Sequence, residues 1–276
     1  MPVLTVHTPM PVRRLLRGAV PREDLEGVFA EFARRYDLGT VRVEFLEADN
    51  WLSVPCVVNG RWFLKVVSGA HSLVHAVLTT GRNLGAVSAG ATGFFEHLGT
   101  PYEMAAHELA ATRRMRETGV AVPEPLGAFE HAGHGVVVLE YLDGVRPLPS
   151  LDRGAAERVA PRVFGSLARM HAAGLAHGDL RGENVLVMDG VPHFIDATSV
   201  DPGAVADARA YDLACALGSL TPHVGARTAV GAALAHYDPA TLRRAEAFLR
   251  FATLRPDLAF DGRAVRGEIE RATAVE

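Results

Sequence analysis

The sequence predicts an α+β fold in two lobes, a small antiparallel sheet first and a mainly helical region after it. Three observations point there. Two apolar runs, Val54–Val58 and Arg61–Val67, flank the dipeptide Asn59-Gly60, and Asn-Gly between such runs is a strong hairpin signal. Two more strand-like runs, Leu126–Glu130 and Gly135–Tyr141, precede residue 143. From Leu151 onward the pattern is helical, except for a short β-like island at Asn184–Val187 and Pro192–Ile195 around the turn Asp189-Gly190.

Taken in order, residues 1–40 read as an N-terminal helical extension. Within it Leu25, Val28, Phe29, Phe32 and Tyr36 recur at helical spacing over Pro21–Tyr36. The first lobe then spans 41–142, opening with Val41–Phe45, whose alternation of apolar and charged residues suits a strand. On this reading Lys65 lies on the third strand. Residues 68–100 read as a flexible insertion, with glycines at 69, 81, 85, 90, 93 and 99 and a helix possible over Leu73–Leu84. Those glycines fit neither G-x-G-x-x-G nor the P-loop pattern. A helix follows over Pro101–Thr118, with proline suited to its first turn and Gly119 to its end. Pro123-Glu124-Pro125 makes a rigid turn. Leu142-Asp143-Gly144 breaks the strand pattern, and 143–276 form the helical second lobe, with three helices expected over 221–276.

The formal net charge of −4 over 276 residues gives no basic field for nucleic acid, so no direct DNA binding is expected. Arg13, Arg14 and Arg17 read as a solvated face. Two cysteines, Cys56 and Cys215, are far apart and outside any metal motif, which suits free buried thiols in a reducing compartment. The apolar stretch Ser72–Ala91 is interrupted by His75, Arg82 and Asn83, and no spanning helix is read. The start of the chain shows no apolar signal-peptide region, so a cytoplasmic location is expected.

Of 28 basic residues, Lys65 alone is lysine. Arginine is a planar fork and lysine a compact point charge on a thin stem. A strand position that keeps lysine in so arginine-rich a chain suggests a narrow cleft where one ammonium meets phosphate oxygens.

The most specific run is His177-Gly178-Asp179-Leu180-Arg181-Gly182-Glu183-Asn184, followed by Asp196 in His193-Phe194-Ile195-Asp196. This H-G-D-x-x-x-x-N with a later I-D resembles the catalytic and metal loops of the protein-kinase-like fold. The His-Gly-Asp form resembles its atypical branches: RIO kinases, Bud32-like kinases, lipopolysaccharide kinases and aminoglycoside phosphotransferases. Phosphoryl transfer needs a carboxylate at the attacking hydroxyl, a metal held by hard oxygens, and a cation on the phosphates. The resemblance gives those roles to Asp179, to Asn184 and Asp196, and to Lys65, with ATP and Mg2+ as cofactors.

Further matches fill out the site. Glu108 lies 15 residues before Pro123 and resembles the RIO helix glutamate that holds the strand lysine, with Glu103 as fallback and Glu117 read as a solvated helix end. Arg181 stands where many protein kinases carry a lysine that neutralises the γ-phosphate; a surface arginine is the alternative. Ser53 closes the turn Glu47–Ser53, which occupies the place of the nucleotide-covering loop but contains no glycine. Glu140 to Leu142 match the hinge whose backbone binds adenine. Asp212 matches a helix aspartate that braces the His-Gly-Asp backbone, and His177 is read as structural. His171 reads as a packed histidine.

The resemblance covers about residues 41–220 and is nearest to RIO-type atypical serine/threonine kinases, through the Pro-Glu-Pro turn and the absence of room for a long activation loop. Asp196-Ala197-Thr198-Ser199 departs from the RIO pattern, so the chain is similar to a divergent group. The resemblance implies transfer from ATP to a protein hydroxyl or to the chain itself, an ATPase-switch role, and a link to ribosome assembly. Two alternatives stand beside it: a small-molecule kinase of aminoglycoside-phosphotransferase type, and a nucleotide-binding scaffold with weak activity.

Overall fold

A computed structural model of the chain describes residues 3–6, 20–46, 53–69, 99–198, 200, 202–255 and 257–274. The expectations for Arg13, Arg14 and Arg17, for residues 47–52 of the turn before Ser53, for the helix over Leu73–Leu84 and for the glycines at 81, 85, 90 and 93 lie outside the described residues. The described residues divide into two compact units, those within 1–79, 97–113 and 123–143 in one and those within 114–122 and 144–276 in the other.

The first unit is a six-stranded sheet in the order β1-β2-β3-β4-β6-β5. Its strands are β1 (Val3–Val6), β2 (Thr40–Phe45), β3 (Val54–Val58), β4 (Trp62–Val67), β5 (Pro125–His131) and β6 (His134–Glu140). All neighbours are antiparallel except β1 and β2, which are parallel. Helix α1 (Arg22–Arg35) connects that parallel pair. The sequence reading placed no strand before Val41, because four residues are too few to show a period. Lys65 therefore lies on the fourth strand of the chain rather than the third.

The β3–β4 turn forms as Asn59-Gly60 predicts. Both residues have positive φ, 52° and 65°, as a two-residue hairpin loop of type I′ requires. Asn59 also ties the turn to β2: its Oδ1 accepts the Arg42 amide at 2.7 Å and its Nδ2 donates to the Thr40 carbonyl at 3.0 Å.

Strand alternation sorts the two faces of the sheet. Leu64 and Val66 join Leu25, Val28, Phe29 and Phe32 of α1 in one core, with the Phe32 and Trp62 rings edge to face at 5.7 Å. On the other face Phe63, Val137 and Leu139 pack with Ala105 and Leu109 of α2 (Pro101–Glu117). A capping box starts α2. The Thr100 hydroxyl accepts the Glu103 amide at 3.1 Å, and Glu103 Oε2 accepts the Thr100 amide at 2.9 Å. Gly135 of β6 lets this helix start come close, since a Cβ there would lie on the Pro101 carbonyl.

Among the described residues the second unit contains a three-stranded sheet, β7 (Arg146–Pro147), β8 (Val185–Met188) and β9 (Val191–Phe194), and five α-helices. The helices are α3 (Arg153–Ala172), α4 (Val205–Val224), α5 (Ala226–Leu234), α6 (Pro239–Thr253) and α7 (Gly262–Thr273). Asp152 caps α3 by accepting the Ala155 amide at 2.9 Å, and Asp238 caps α6 by accepting the Thr241 amide at 2.6 Å. The central helix is α4, with Tyr211, Leu213, Ala214, Leu217 and Leu220 at 1% exposure or less. Helices α5 to α7 account for the three expected over 221–276; β7, only two residues long, was not foreseen. The fold is α+β, an antiparallel-sheet unit followed by a mainly helical one. No helix among the described residues is long and apolar enough to cross a membrane.

Candidate active site

In the first unit, Lys65 faces away from the α1 core and pairs across β6 with Val137. Its ammonium meets Glu108 Oε2 at 2.9 Å, with the two side chains only 12% and 11% exposed. Of the three glutamates weighed from sequence, Glu108 is the one at Lys65; Glu103 is spent on the α2 cap and Glu117 is the last residue of that helix. A close ion pair with so little water fixes where the ammonium points. Ser53 is buried just before β3.

Glu140 ends β6 and is exposed, while Leu142 is buried. The Pro-Glu-Pro turn is tied to this point twice. The Glu140 amide donates to the Glu124 carbonyl at 2.9 Å, and the Glu124 amide donates to Glu140 Oε2 at 3.2 Å. The Tyr141 amide donates to the Arg61 carbonyl at 2.9 Å, which fixes the strand end.

In the second unit, Asp212 is fully buried on α4 and accepts two backbone amides, His177 at 2.6 Å and Gly178 at 2.9 Å. Gly178 has φ +80°, and a Cβ there would strike the Thr198 hydroxyl and Val200. The loop thus needs glycine at this place. His177 lies under the same loop and bonds the Ile195 carbonyl through Nε2 at 2.9 Å. Burial lowers the His177 pKa against the opposing fields of Asp212, Asp179 and Asp196. The neutral ring with its proton on Nε2 suits that carbonyl. The Thr198 amide returns to the His177 carbonyl at 2.9 Å, so residues 177 and 195–198 are laced together. His171 is packed as read, between Tyr237 Oη at 3.0 Å and Asp212 Oδ2 at 3.4 Å.

Asn184 ends a single 3-10 turn (Gly182–Asn184), and its Nδ2 donates to the Asp179 carbonyl at 2.9 Å. That orientation leaves Oδ1 as the acceptor end of the amide. The register Val185↔Phe194 and the Ile195 amide on the Asn184 carbonyl at 3.0 Å bring Asp196 beside the same turn. Asp196 has φ +60°, uncommon for a residue other than glycine. Among the described residues no group of three or more His, Cys, Asp or Glu could hold a metal. One amide oxygen and one carboxylate fit magnesium, which takes few protein ligands and keeps several waters.

The Asp179 carboxylate, 8% exposed, sits between two arginines. Arg255 Nη1 donates to its Oδ1 at 2.9 Å and to the Tyr211 hydroxyl at 2.9 Å. The other edge of Arg255 clasps Asp257 at 2.8 and 3.1 Å. Arg181 Nε lies 3.5 Å from Asp179 Oδ2 and 3.8 Å from Asp257 Oδ2, ion-pair distances without a hydrogen bond at that nitrogen. Burial lowers the Arg255 pKa, but Asp179, Cys215, Tyr211 and Asp257 together raise it further, so the guanidinium stays charged. Burial likewise pushes the Tyr211 hydroxyl well up and the Cys215 thiol to about 12. Sequence reading missed Arg255. Arg255 is 76 positions from Asp179 and outside any motif, so no spacing could reveal it.

The fold and these two sets of side chains define a protein of the kinase-like class. Residues 95–204 match the family model described as the RIO domain. Over 115 residues the chain is 30% identical to the KEOPS complex subunit Bud32 of Pyrococcus abyssi, covering 40% of this chain and 51% of that one. Over 95 residues it is 36% identical to the 3-deoxy-D-manno-octulosonic acid kinase of Stenotrophomonas maltophilia, covering 31% and 36%. The chain thus spans about half or less of the curated relatives it matches. A solved choline/ethanolamine kinase family protein from Mesorhizobium loti aligns at a TM-score of 0.48 with 13% identity, over 84% of this chain and 87% of that one.

Proposed function

We propose that the protein is an ATP-dependent phosphotransferase, a RIO-like serine/threonine kinase acting on a protein hydroxyl or on itself. The observation that carries this reading is the buried, fully braced loop that presents Asp179. Its backbone is held by Asp212, its carbonyl by Asn184 and its flank by His177. A loop fixed on so many sides suits a carboxylate whose orientation sets a rate.

In this mechanism Lys65, aimed by Glu108, grips the α- and β-phosphates of ATP. The Glu140 carbonyl and Leu142 amide hold adenine, and the Ser53 hydroxyl reaches phosphate. Asp179 orients the acceptor hydroxyl and takes its proton as the oxygen bonds to the γ-phosphorus and the bond to ADP breaks. Arg181 offsets charge on the transferring group. Asn184 and Asp196 would hold magnesium, which supplies charge neutralisation on the phosphates. Residues 41–142 would form the nucleotide lobe, with 1–40 packed on its sheet as part of the same unit, and 143–276 would form the transfer lobe.

A second reading is a small-molecule kinase. It is favoured by the likeness to a kinase named for an acidic sugar. The name of the Bud32 relative, a complex subunit, supports work within a larger assembly. Two free buried cysteines suit a reducing, cytoplasmic setting. Incubation of the purified chain with γ-labelled ATP and Mg2+ tests these readings. Label on protein supports the first, and label on added 3-deoxy-D-manno-octulosonic acid supports the second. Binding of ATP without turnover leaves a nucleotide-binding scaffold and overturns both.

A further inference from the structure

We infer that Arg255 is a positioning residue for Asp179, so that the chain beyond the RIO-matched stretch completes the site of phosphoryl transfer. The inference rests on the function proposed above. Arg255 follows the end of α6 by two positions, well past residue 204 where the matched stretch ends. Its side chain is only 10% exposed and every edge is engaged. One edge is clasped by both oxygens of Asp257, which fixes the plane of the guanidinium. The remaining nitrogen, Nη1, bridges Asp179 Oδ1 and the Tyr211 hydroxyl.

The placement of Tyr211 gives this bridge its meaning. Its neighbour on α4, Asp212, holds the His177 and Gly178 amides. Adjacent residues of one helix therefore fix the same loop twice, at its backbone through Asp212 and at its reacting carboxylate through Tyr211 and Arg255. A carboxylate offers about four lone-pair sites, so an oxygen bonded to Arg255 can still receive an acceptor hydroxyl. Arg255 sets which rotamer offers it. A lysine keeps the charge but, as a single ammonium, cannot clasp Asp257 with two parallel bonds and bridge Asp179 to Tyr211 at once.

The test compares the full chain with Arg255→Ala, Arg255→Lys and Asp257→Asn, measuring turnover of γ-labelled ATP with Mg2+, ATP affinity and melting temperature. Arg255→Ala is expected to lose about 100-fold in kcat, the size a misplaced reacting group costs, with ATP affinity retained. Added methylguanidinium at a non-denaturing concentration should restore part of that loss. Arg255→Lys and Asp257→Asn should show smaller falls in kcat, again without a change in ATP affinity. Should Arg255→Ala fail to fold, Arg255→Lys carries the test. A folded Arg255→Lys with wild-type kcat, or variants in which kcat and ATP affinity fall together, overturns the inference while the proposed function stands. A wild-type chain that binds ATP without turning it over overturns the proposed function, and this inference with it.

Discussion

Lys65 and Glu108 meet at 2.9 Å on the α2 face of the sheet, 43 positions apart in the chain. Phe63, Val137, Leu139, Ala105 and Leu109 surround that face with apolar surface. A lone charge there would be costly, and removing one partner of a buried pair costs about 3–5 kcal/mol. Glu108→Ala is expected to lower stability toward the lower end of that range, since both side chains keep some water, and to weaken ATP binding. Urea denaturation and ATP titration check it. Lys65→Arg should also cut ATP turnover, by roughly tenfold or more, because the fork does not fit a one-ammonium niche; full activity would remove the significance given to the single lysine.

Gly135 sets where α2 begins, and so where Glu108 comes to lie. Its missing side chain makes room for the Pro101 backbone, which cannot rotate away as a side chain can. Gly135→Ala is expected to cost about 1–3 kcal/mol, as overpacking does, and to weaken ATP binding as well. Gly231, on the exposed side of α5, has open space where a methyl group would stand, with no atom within 4 Å. Gly231→Ala should therefore stabilise the chain, by about 0.5–1 kcal/mol. Thermal melts of the two variants should move in opposite directions.

Asp212 serves two amides from a position with no water. Replacing it with alanine orphans both donors, at about 1–3 kcal/mol for each buried unsatisfied group. Asp212→Ala is expected to lower the urea midpoint by an amount corresponding to about 2–5 kcal/mol. An effect below about 1 kcal/mol would show that the loop is held by other means.

Burial depresses the His177 pKa below its unfolded value. Below about pH 6.5 the unfolded chain therefore binds more protons at this site than the folded one. The stability His177 contributes is full above about pH 6.5 and is lost as pH falls toward the folded pKa. The urea midpoint of the wild type is expected to drop between about pH 7.5 and pH 5.5 more steeply than that of His177→Gln. Equal slopes in the two proteins would contradict a neutral buried imidazole.

Cys56 and Cys215 are fully buried and free, and burial raises both thiols. Both should stay protonated and shielded at neutral pH. Iodoacetamide at about pH 8 is expected to label neither cysteine in the native chain and both in denaturant, as read by mass spectrometry.

The sequence made the chemistry-bearing loops legible because their residues are close in the chain. His177 to Asn184 and Asp196 lie within one short stretch, and the structure shows how Asp212 and Ile195 hold it. The hairpin was legible because Asn59-Gly60 has few alternatives to a turn with two positive φ angles. Strand β1 was not, because four residues carry no period and its partner β2 lies beyond a whole helix. Arg255 was hidden for a related reason. It is one of many arginines, and only the packing of α4 against α6 brings it to Asp179. Choosing Glu108 over Glu103 depended on the Pro123 spacing; Thr100, three residues before Glu103, carried the complementary signal of a capping box.

The most direct test of this account is turnover of γ-labelled ATP with Mg2+ by the wild type and by Asp179→Asn, with ATP affinity measured alongside. A positioned acid–base group contributes about 10²–10⁴-fold. Turnover by the wild type that falls by that factor in Asp179→Asn, with ATP affinity kept, is the predicted result. Equal turnover in the two proteins, or a wild type that binds no ATP, would contradict it.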